Sequence, residues 1–542
     1  MKRTSPHFRT LIQQLYEPAS LWEKLRGSRD DAAILSEIGD STEPAAIVDV
    51  LPFVLASKPD VAEAAAMSVH KLVLKAKAQE LVWLDCLLRR SSSYSGDSLY
   101  EWHNLRPDQL DLLERFGEAS VSLVGIASFH QNGYVREAAI KRLDLITSGA
   151  ELPFLILRLN DWVSNVRDAA YGTIRSRLRP EYARHFIANL ALVSRLDEAG
   201  RADHKALIQA INELLQGDEC RNVLLESLTS DDRLIRRVSF RLALNSKKSD
   251  LPEIVRHALN AQDTVIRLWA AQTVSSAFAG ATLDLFLELM KRDRFMPVRR
   301  EALRMAVKRN SPTSLAELRS ALLDSHPAMR EEARYHLRKL DPMDVAAFYR
   351  QSLSTAEGQT LYSVISGLGE TGSAEDDPLI VPYTSHLVSK IRAAAIRALA
   401  RLHGETHTDV FIDALKDEVP HVSRQALKAL TDRASSLSGE RIWKLFHLAK
   451  HAHVRRNALS LIEKLGKWES IHYLVRAVCD SDEDITAMSR FGIQRWLARF
   501  NRSFLSPTPE QLAQLNNALK ECGDQLYNET MEQLQFSMKG FN

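Results

Sequence analysis

One segment recurs along this chain: an aliphatic residue, then Ala or Ser four places on, then another apolar residue four beyond that. Its first positions are Val135, Val166, Ile235, Ile266, Val298, Met329, Ile391, Val422, Val454 and Ile485. The second positions are Ala139, Ala170, Ser239, Ala270, Ala302, Ala333, Ala395, Ala426, Ala458 and Ser489. The third are Leu143, Ile174, Ala243, Val274, Ala306, Leu337, Leu399, Leu430, Ile462 and Ile493. Residues spaced by four share one face of an α-helix, so each segment predicts an amphipathic helix. The small middle residue lets a neighbouring helix approach closely.

The segments return about every 31 residues, which is room for two helices of about 12 residues and two tight turns. One gap holds two periods plus about seven extra residues, and Ala206, Ala210 and Leu214 fill it in weaker form. Thr360, Val364 and Leu368 fill a second double gap, and Val61, Ala65 and Val69 obey the rule upstream. The partner helices are visible as apolar stretches at Leu251–Leu259, Thr282–Met290, Ser314–Leu322 and Val410–Leu415. Asp161, Asp263, Asp324 and Asp417 stand between paired helices, with Pro327 and Pro420 close behind. Asp accepts the orphan N–H groups of a helix start, and Pro suits the first turn, where its missing donor costs nothing. The predicted fold class is all-α, an α-α superhelix or solenoid of about 13 helical hairpins.

This pattern predicts four regions: 1–87 as N-terminal helices and first repeats, 88–130 as an irregular insertion, 131–500 as the main array, and 501–542 as capping helices. The polar stretch Arg89–Asn104, with Ser91-Ser92-Ser93-Tyr94-Ser95-Gly96-Asp97, predicts a loop leaving the array, and Thr508-Pro509-Glu510 opens the cap. At 542 residues the chain is too long for one ordinary core, which an array avoids. Its 4 cysteines, Cys86, Cys220, Cys479 and Cys522, show no paired spacing and predict isolated reduced thiols in a cytoplasmic protein. No signal peptide or membrane span is expected from the apolar runs.

The run Asp/Asn-x-x-x-Val-Arg-x-x-Ala-x-x-x-Leu, present with variations at 132–143, 165–174, 295–306, 328–337 and 453–462, resembles the second helix of HEAT repeats. The short bacterial form in phycobilisome-lyase-like proteins is the nearest type. The resemblance covers about residues 27–500 and implies a HEAT-type solenoid without fixing an activity. An Arg follows the anchor at Arg136, Arg167, Arg236, Arg267, Arg299, Arg330, Arg392 and Arg455. By resemblance it ties one repeat's turn to the next, a role that suits a fork-shaped donor.

The overall charge of +2 hides a segregation. The second helices are strongly basic and the rest of the chain is correspondingly acidic. Opposite the core seam of those helices lie Lys141, Arg175, Arg237, Arg241, Arg300, Arg304, Arg338, Arg397, Lys428 and Arg456. The resemblance implies that second helices line a concave surface, so these ten form a candidate basic groove. The function expected is a non-catalytic scaffold or adaptor holding an acidic surface or segment of a protein partner. The second reading is a nucleic-acid-binding solenoid in a DNA- or RNA-handling or defence complex, although its aromatic support, Trp269 and Tyr335 on these helices, is thin.

Enzyme readings find little footing. HEAT-like iron hydroxylases use His-Glu pairs, which are absent here. His403-Gly404-Glu405-Thr406-His407 has zincin-like His spacing, but its Glu is misplaced and Gly404 weakens the helix both ligands need, so a turn is expected. Asp161-Trp162 has the residue types of HEAT-like DNA glycosylases in the wrong place, and a bilin lyase reading has no site residues at all. No cofactor or metal is expected.

Overall fold

The computed structural model describes residues 6–16, 30–41, 43–90, 100–246, 248–309, 313–539 and 541. Among them the chain is all-α, a succession of α-helices and short 3-10 turns with no strand. It divides into two compact units, Met1–Phe286 and Leu287–Asn542. Each is an array of antiparallel helical hairpins of the HEAT type.

The recurrent segments are the second helices of these hairpins, and their three-residue face is the core. Val166, Ala170 and Ile174 are fully buried on the Ser164–Ser176 helix, as are Val422, Ala426 and Leu430 on Pro420–Thr431. Ile235 is half-buried, whereas Ser239 and Ala243 behind it are enclosed. Each buried Val, Leu or Ile contributes about 1.5–3 kcal/mol, so the repeating face supplies much of the driving force for stacking. The first helices stand where the apolar runs place them, for example Leu251–Leu259, Ser314–Ala321 and Thr408–Leu415.

The turn chemistry follows the sequence closely. The Asp263 side chain accepts the backbone N–H of Val265 (2.9 Å), Asp324 that of His326 (2.7 Å) and Asp417 that of Val419 (2.9 Å). Pro327 and Pro420 open the helices that follow. Close packing has one demanding position in Gly367, where an added Cβ would lie 2.2 Å from the Tyr349 ring. Tyr349 is fully buried and donates its hydroxyl to the Leu322 carbonyl (2.8 Å), and burial pushes its phenol up to about 12.

Two expectations need correction. The Lys205–Gln216 helix buries Leu207, Ile211 and Leu215, whereas Ala206 is exposed. Its core face is one residue out of phase with the assigned Ala206, Ala210 and Leu214, because the extra residues before it reset the register. Cysteines also pair: Cys479, in the turn after the Lys467–Ala477 helix, is disulfide-bonded to Cys522 at the end of Pro509–Cys522, with Cα atoms 5.9 Å apart. A separation of 43 residues hides the fact that these helices pack side by side. Cys86 and Cys220 are free.

Residues 100–127 form only short helical pieces, Tyr100–His103, Pro107–Leu110, Asp111–Glu114, Gly117–Ala119 and Ser120–Ala127. Of the predicted loop Arg89–Asn104, residues 91–99 lie outside the described residues, whereas its flanks are helical, in Ala78–Arg90 and Tyr100–His103. After the Pro509–Cys522 helix, capped by Thr508 and Gln511, the chain ends on the Asn528–Met538 helix. Phe504 (98% exposed) and Phe536 (75% exposed) stand open to solvent near this end. No helix among the described residues is long and apolar enough to cross a membrane.

Candidate binding surface

Seven of the eight arginines that follow an anchor point back into their own turns. Arg136 Nη1 donates to the carbonyls of His130 (3.0 Å) and Gln131 (2.9 Å). Arg299 repeats this with Asp293 (2.7 Å) and Arg294 (3.2 Å), and Arg392 with His386 (2.9 Å) and Leu387 (3.1 Å). The other edge of the fork reaches the Asp that opens the next turn, always 25 residues on: Arg136 to Asp161, Arg299 to Asp324, Arg392 to Asp417 and Arg455 to Asp480. Arg167 and Arg267 keep the carbonyl bonds, and Arg330 takes Glu370 as its carboxylate. Arg136, Arg299, Arg330, Arg392 and Arg455 are therefore committed to joining repeats.

The ten candidate cations divide between the units. Lys141, Arg175, Arg237 and Arg241 belong to the first, and the other six to the second. Four carry carboxylate partners. Lys141 meets Glu137 at 2.7 Å, one helical turn away. Arg237 forks onto Asp263 (2.7 and 2.9 Å) and holds that carboxyl well below the usual carboxylate range. Arg304 donates to Glu332 (2.9 Å) and Arg456 to Asp484 (3.3 Å), both 28 residues on. Sequence reading missed these ties, although acidic residues at that offset were there to be found.

The remaining six are spared for other contacts. Arg175, Arg338 and Lys428 are exposed. Arg241 stands over the Trp269 ring, 5.7 Å from its centroid, and Arg300 is half-buried with Nε lacking a hydrogen-bond partner. Arg397 donates to Gln425 Oε1 (3.4 Å), which links the Ser389–His403 helix to Pro420–Thr431, where Lys428 also lies. Burial alone would raise the Tyr362 phenol, but the Arg397 guanidinium outweighs it and holds the group below its ordinary value. Lys390 completes this group, 5.2 Å from the Tyr362 centroid. Arg397, Lys428 and Lys390 are thus gathered on neighbouring helices.

The enzyme-like motifs take structural places. His403 closes its helix and His407 precedes the next, so the pair spans a turn, and His407 Nε2 meets Asp377 at 2.7 Å. Asp161 is completely enclosed and held by Arg89, Arg136 and Arg158, so its carboxylate is committed to these three cations. Among the described residues no group of three or more His, Cys, Asp or Glu is placed to hold a metal ion.

No family model and no curated protein matches the chain. Solved structures do. An importin beta crystal structure aligns over 99% of this chain and 84% of its own, at 13% identity and a TM-score of 0.28. Kap95p bound to RanGDP aligns over 98% of this chain and 67% of its own, at 11% identity and a TM-score of 0.31. A Kap121p variant aligns over 98% and 66%, at 12% identity and 0.29.

Proposed function

We propose that this chain is a non-catalytic helical-repeat scaffold that holds an acidic segment of a partner protein against the second helices of its C-terminal unit. The observation that carries the reading is the group Lys390, Arg397 and Lys428, cations on neighbouring helices with no carboxylate partner among the described residues. Most cations elsewhere on these helices are already tied within the array. An unneutralised group attracts an extended anionic chain and forms charge-assisted bonds to carboxylates, with Arg397 supplying a fork. Tyr362 adds a flat contact at its centre. The solved structures named above include one of Kap95p with RanGDP, a scaffold of the same fold class with a protein partner.

The test is fluorescence anisotropy with a labelled poly-glutamate peptide, alongside single-stranded DNA and RNA of equal charge, from low to high salt. The expected result is saturable peptide binding that weakens at least tenfold in the Arg397→Glu/Lys428→Glu variant. Tighter, steeply salt-dependent binding of nucleic acid would replace the reading with a nucleic-acid-binding solenoid. No binding of either at low salt would sink both.

A further inference from the structure

The repeat register breaks twice in the first unit, and the helix before the first break shares a cavity with the segment of the second. The Ala78–Arg90 helix precedes the irregular stretch, and it contributes Val82, Asp85, Cys86 and Arg89 to one wall of a cavity of about 590 Å³. The opposite wall is Leu196, Glu198, Ala199 and Arg201. These are the extra residues that lengthen the spacing before the Lys205–Gln216 helix. Between them, the Leu152–Arg158 helix and its turn supply Ile156, Leu157, Asn160 and Trp162.

Beneath the cavity lies an enclosed charge network. Asp161 accepts from Arg136 (2.9 and 2.8 Å), Arg89 (2.8 Å) and Arg158 (3.0 Å), and Asp85 meets Arg158 (2.6 Å) and Arg89 (2.9 Å). Both carboxylates are thereby used up. Above the network Arg195 and Arg201 line the cavity together with one further carboxylate, Glu198. Arg195, in the last turn of Leu190–Arg195, is exposed with no ion-pair partner among the described residues. Arg201 donates to the Asn160 carbonyl (3.0 Å), which sets its guanidinium 5.2 Å from the centroid of Trp162. Trp162 itself is 72% exposed, an unusual position for the largest apolar side chain.

An exposed indole beside Arg201, in a cavity that Arg195 also lines, selects for a ligand with two parts. The ring favours a flat aromatic partner, and the guanidinium forks favour a phosphate. The cavity is of the size that small-molecule sites have, with an apolar side formed by Ile156, Leu157 and Leu192. An inorganic anion would leave most of it empty and ignore the indole. We propose that this cavity binds a nucleotidyl group, its base stacked on Trp162 and its phosphate held by Arg195 and Arg201. The unit comes either as a free mononucleotide or as the 5′-phosphorylated end of a single strand. This site shares no residue with the peptide surface proposed above, so the two stand or fall separately.

Isothermal titration of the full chain with a purine mononucleotide, the matching nucleoside, ribose 5-phosphate and a 5′-phosphorylated single-stranded decamer tests it. Saturable binding of the mononucleotide or the decamer is expected, with the nucleoside and ribose 5-phosphate each at least tenfold weaker. Equal affinity per site for mononucleotide and decamer identifies the free nucleotide as the ligand, and a decamer preference of tenfold or more identifies a strand end. Trp162→Ala and Arg195→Gln, both at exposed positions, should each weaken binding about tenfold while leaving the thermal unfolding midpoint in place. No saturable binding up to millimolar ligand overturns the proposal, as does binding that survives both substitutions or that ribose 5-phosphate matches.

Discussion

The stretch from Ser389 to Arg499 and the stretch from Ala78 to Gln216 are made of the same hairpin, yet they use charge in opposite ways. In the first, Arg392–Asp417 and Arg455–Asp480 repeat one tie at a constant separation of 25 residues. Each Asp there has an arginine partner from the ladder, and surplus cations such as Lys428 are left on the helix surface. In the second, Arg136–Asp161 keeps the same separation, but Asp161 also collects Arg89 and Arg158 from outside the pattern. A regular register distributes charge along the array; a broken register concentrates it around one enclosed carboxylate.

The sharpest way to break this comparison is to remove the carboxylate from each side. Asp161→Asn strands three arginines, two of them buried, with a single remaining carboxylate at Asp85. Uncompensated buried charge is costly, so the expected loss is about 4 kcal/mol in urea unfolding. Asp417→Asn strands only Arg392, 13% exposed and still bonded to two carbonyls, and should cost about half as much. Equal losses would mean that the network in the first unit is an ordinary ladder tie.

The hairpins, their small-residue faces and the ladder arginines were legible in the sequence because they depend on local periodicity. Val422, Ala426 and Leu430 are buried as the spacing requires. What escaped depends on the length of the chain between hairpins. Arg304 was read as a free cation because its partner Glu332 lies 28 residues on, and that contact exists only if the intervening hairpin has its normal length. The same dependence misplaced the Lys205–Gln216 face by one residue, since extra chain before it shifts the phase. The cavity itself left a trace in those extra residues, but which side chains would line it could not be read from their number.

The phase correction can be checked directly. Leu207 is 2% exposed and Ala206 is exposed, so Leu207→Ala should lose about 3 kcal/mol, while Ala206→Glu should change stability by under about 0.5 kcal/mol. Thermal or urea unfolding of the two variants decides between the registers; the reverse order would restore the assignment made from spacing alone.

A smaller effect separates the units by pH. His472, on the Lys467–Ala477 helix, is 2% exposed with Nδ1 unpartnered, and burial, helped by Arg476, lowers its pKa to about 4. The unfolded chain therefore takes up this proton first. Its contribution is complete above about pH 6.5, falls as pH drops towards about 4, and is flat below. At pH 5 the expected loss is about 2 kcal/mol, read as a falling urea midpoint of the second unit. His472→Gln should abolish that slope. A slope that survives the substitution would place the titrating group elsewhere.

The smallest expected effects distinguish a tie from a spare cation. Arg304 is 45% exposed and bonded to Glu332, so Arg304→Gln removes a solvent-screened pair worth under about 1 kcal/mol. It also frees Glu332, leaving a new negative charge on the helix face. Lys428→Gln removes a cation with no ion-pair partner among the described residues and should leave stability unchanged within about 0.5 kcal/mol. Binding should order them the other way. Poly-glutamate affinity should fall several-fold for Lys428→Gln, while Arg304→Gln, on a different pair of helices from the Lys390, Arg397 and Lys428 group, should change it less than twofold. If Arg304→Gln weakens the peptide more than Lys428→Gln does, the acidic segment extends across the tied face as well. Arg304 would then be a ligand that exchanges Glu332 for the partner's carboxylate, and charge already tied within the array would have to be counted as part of the binding surface.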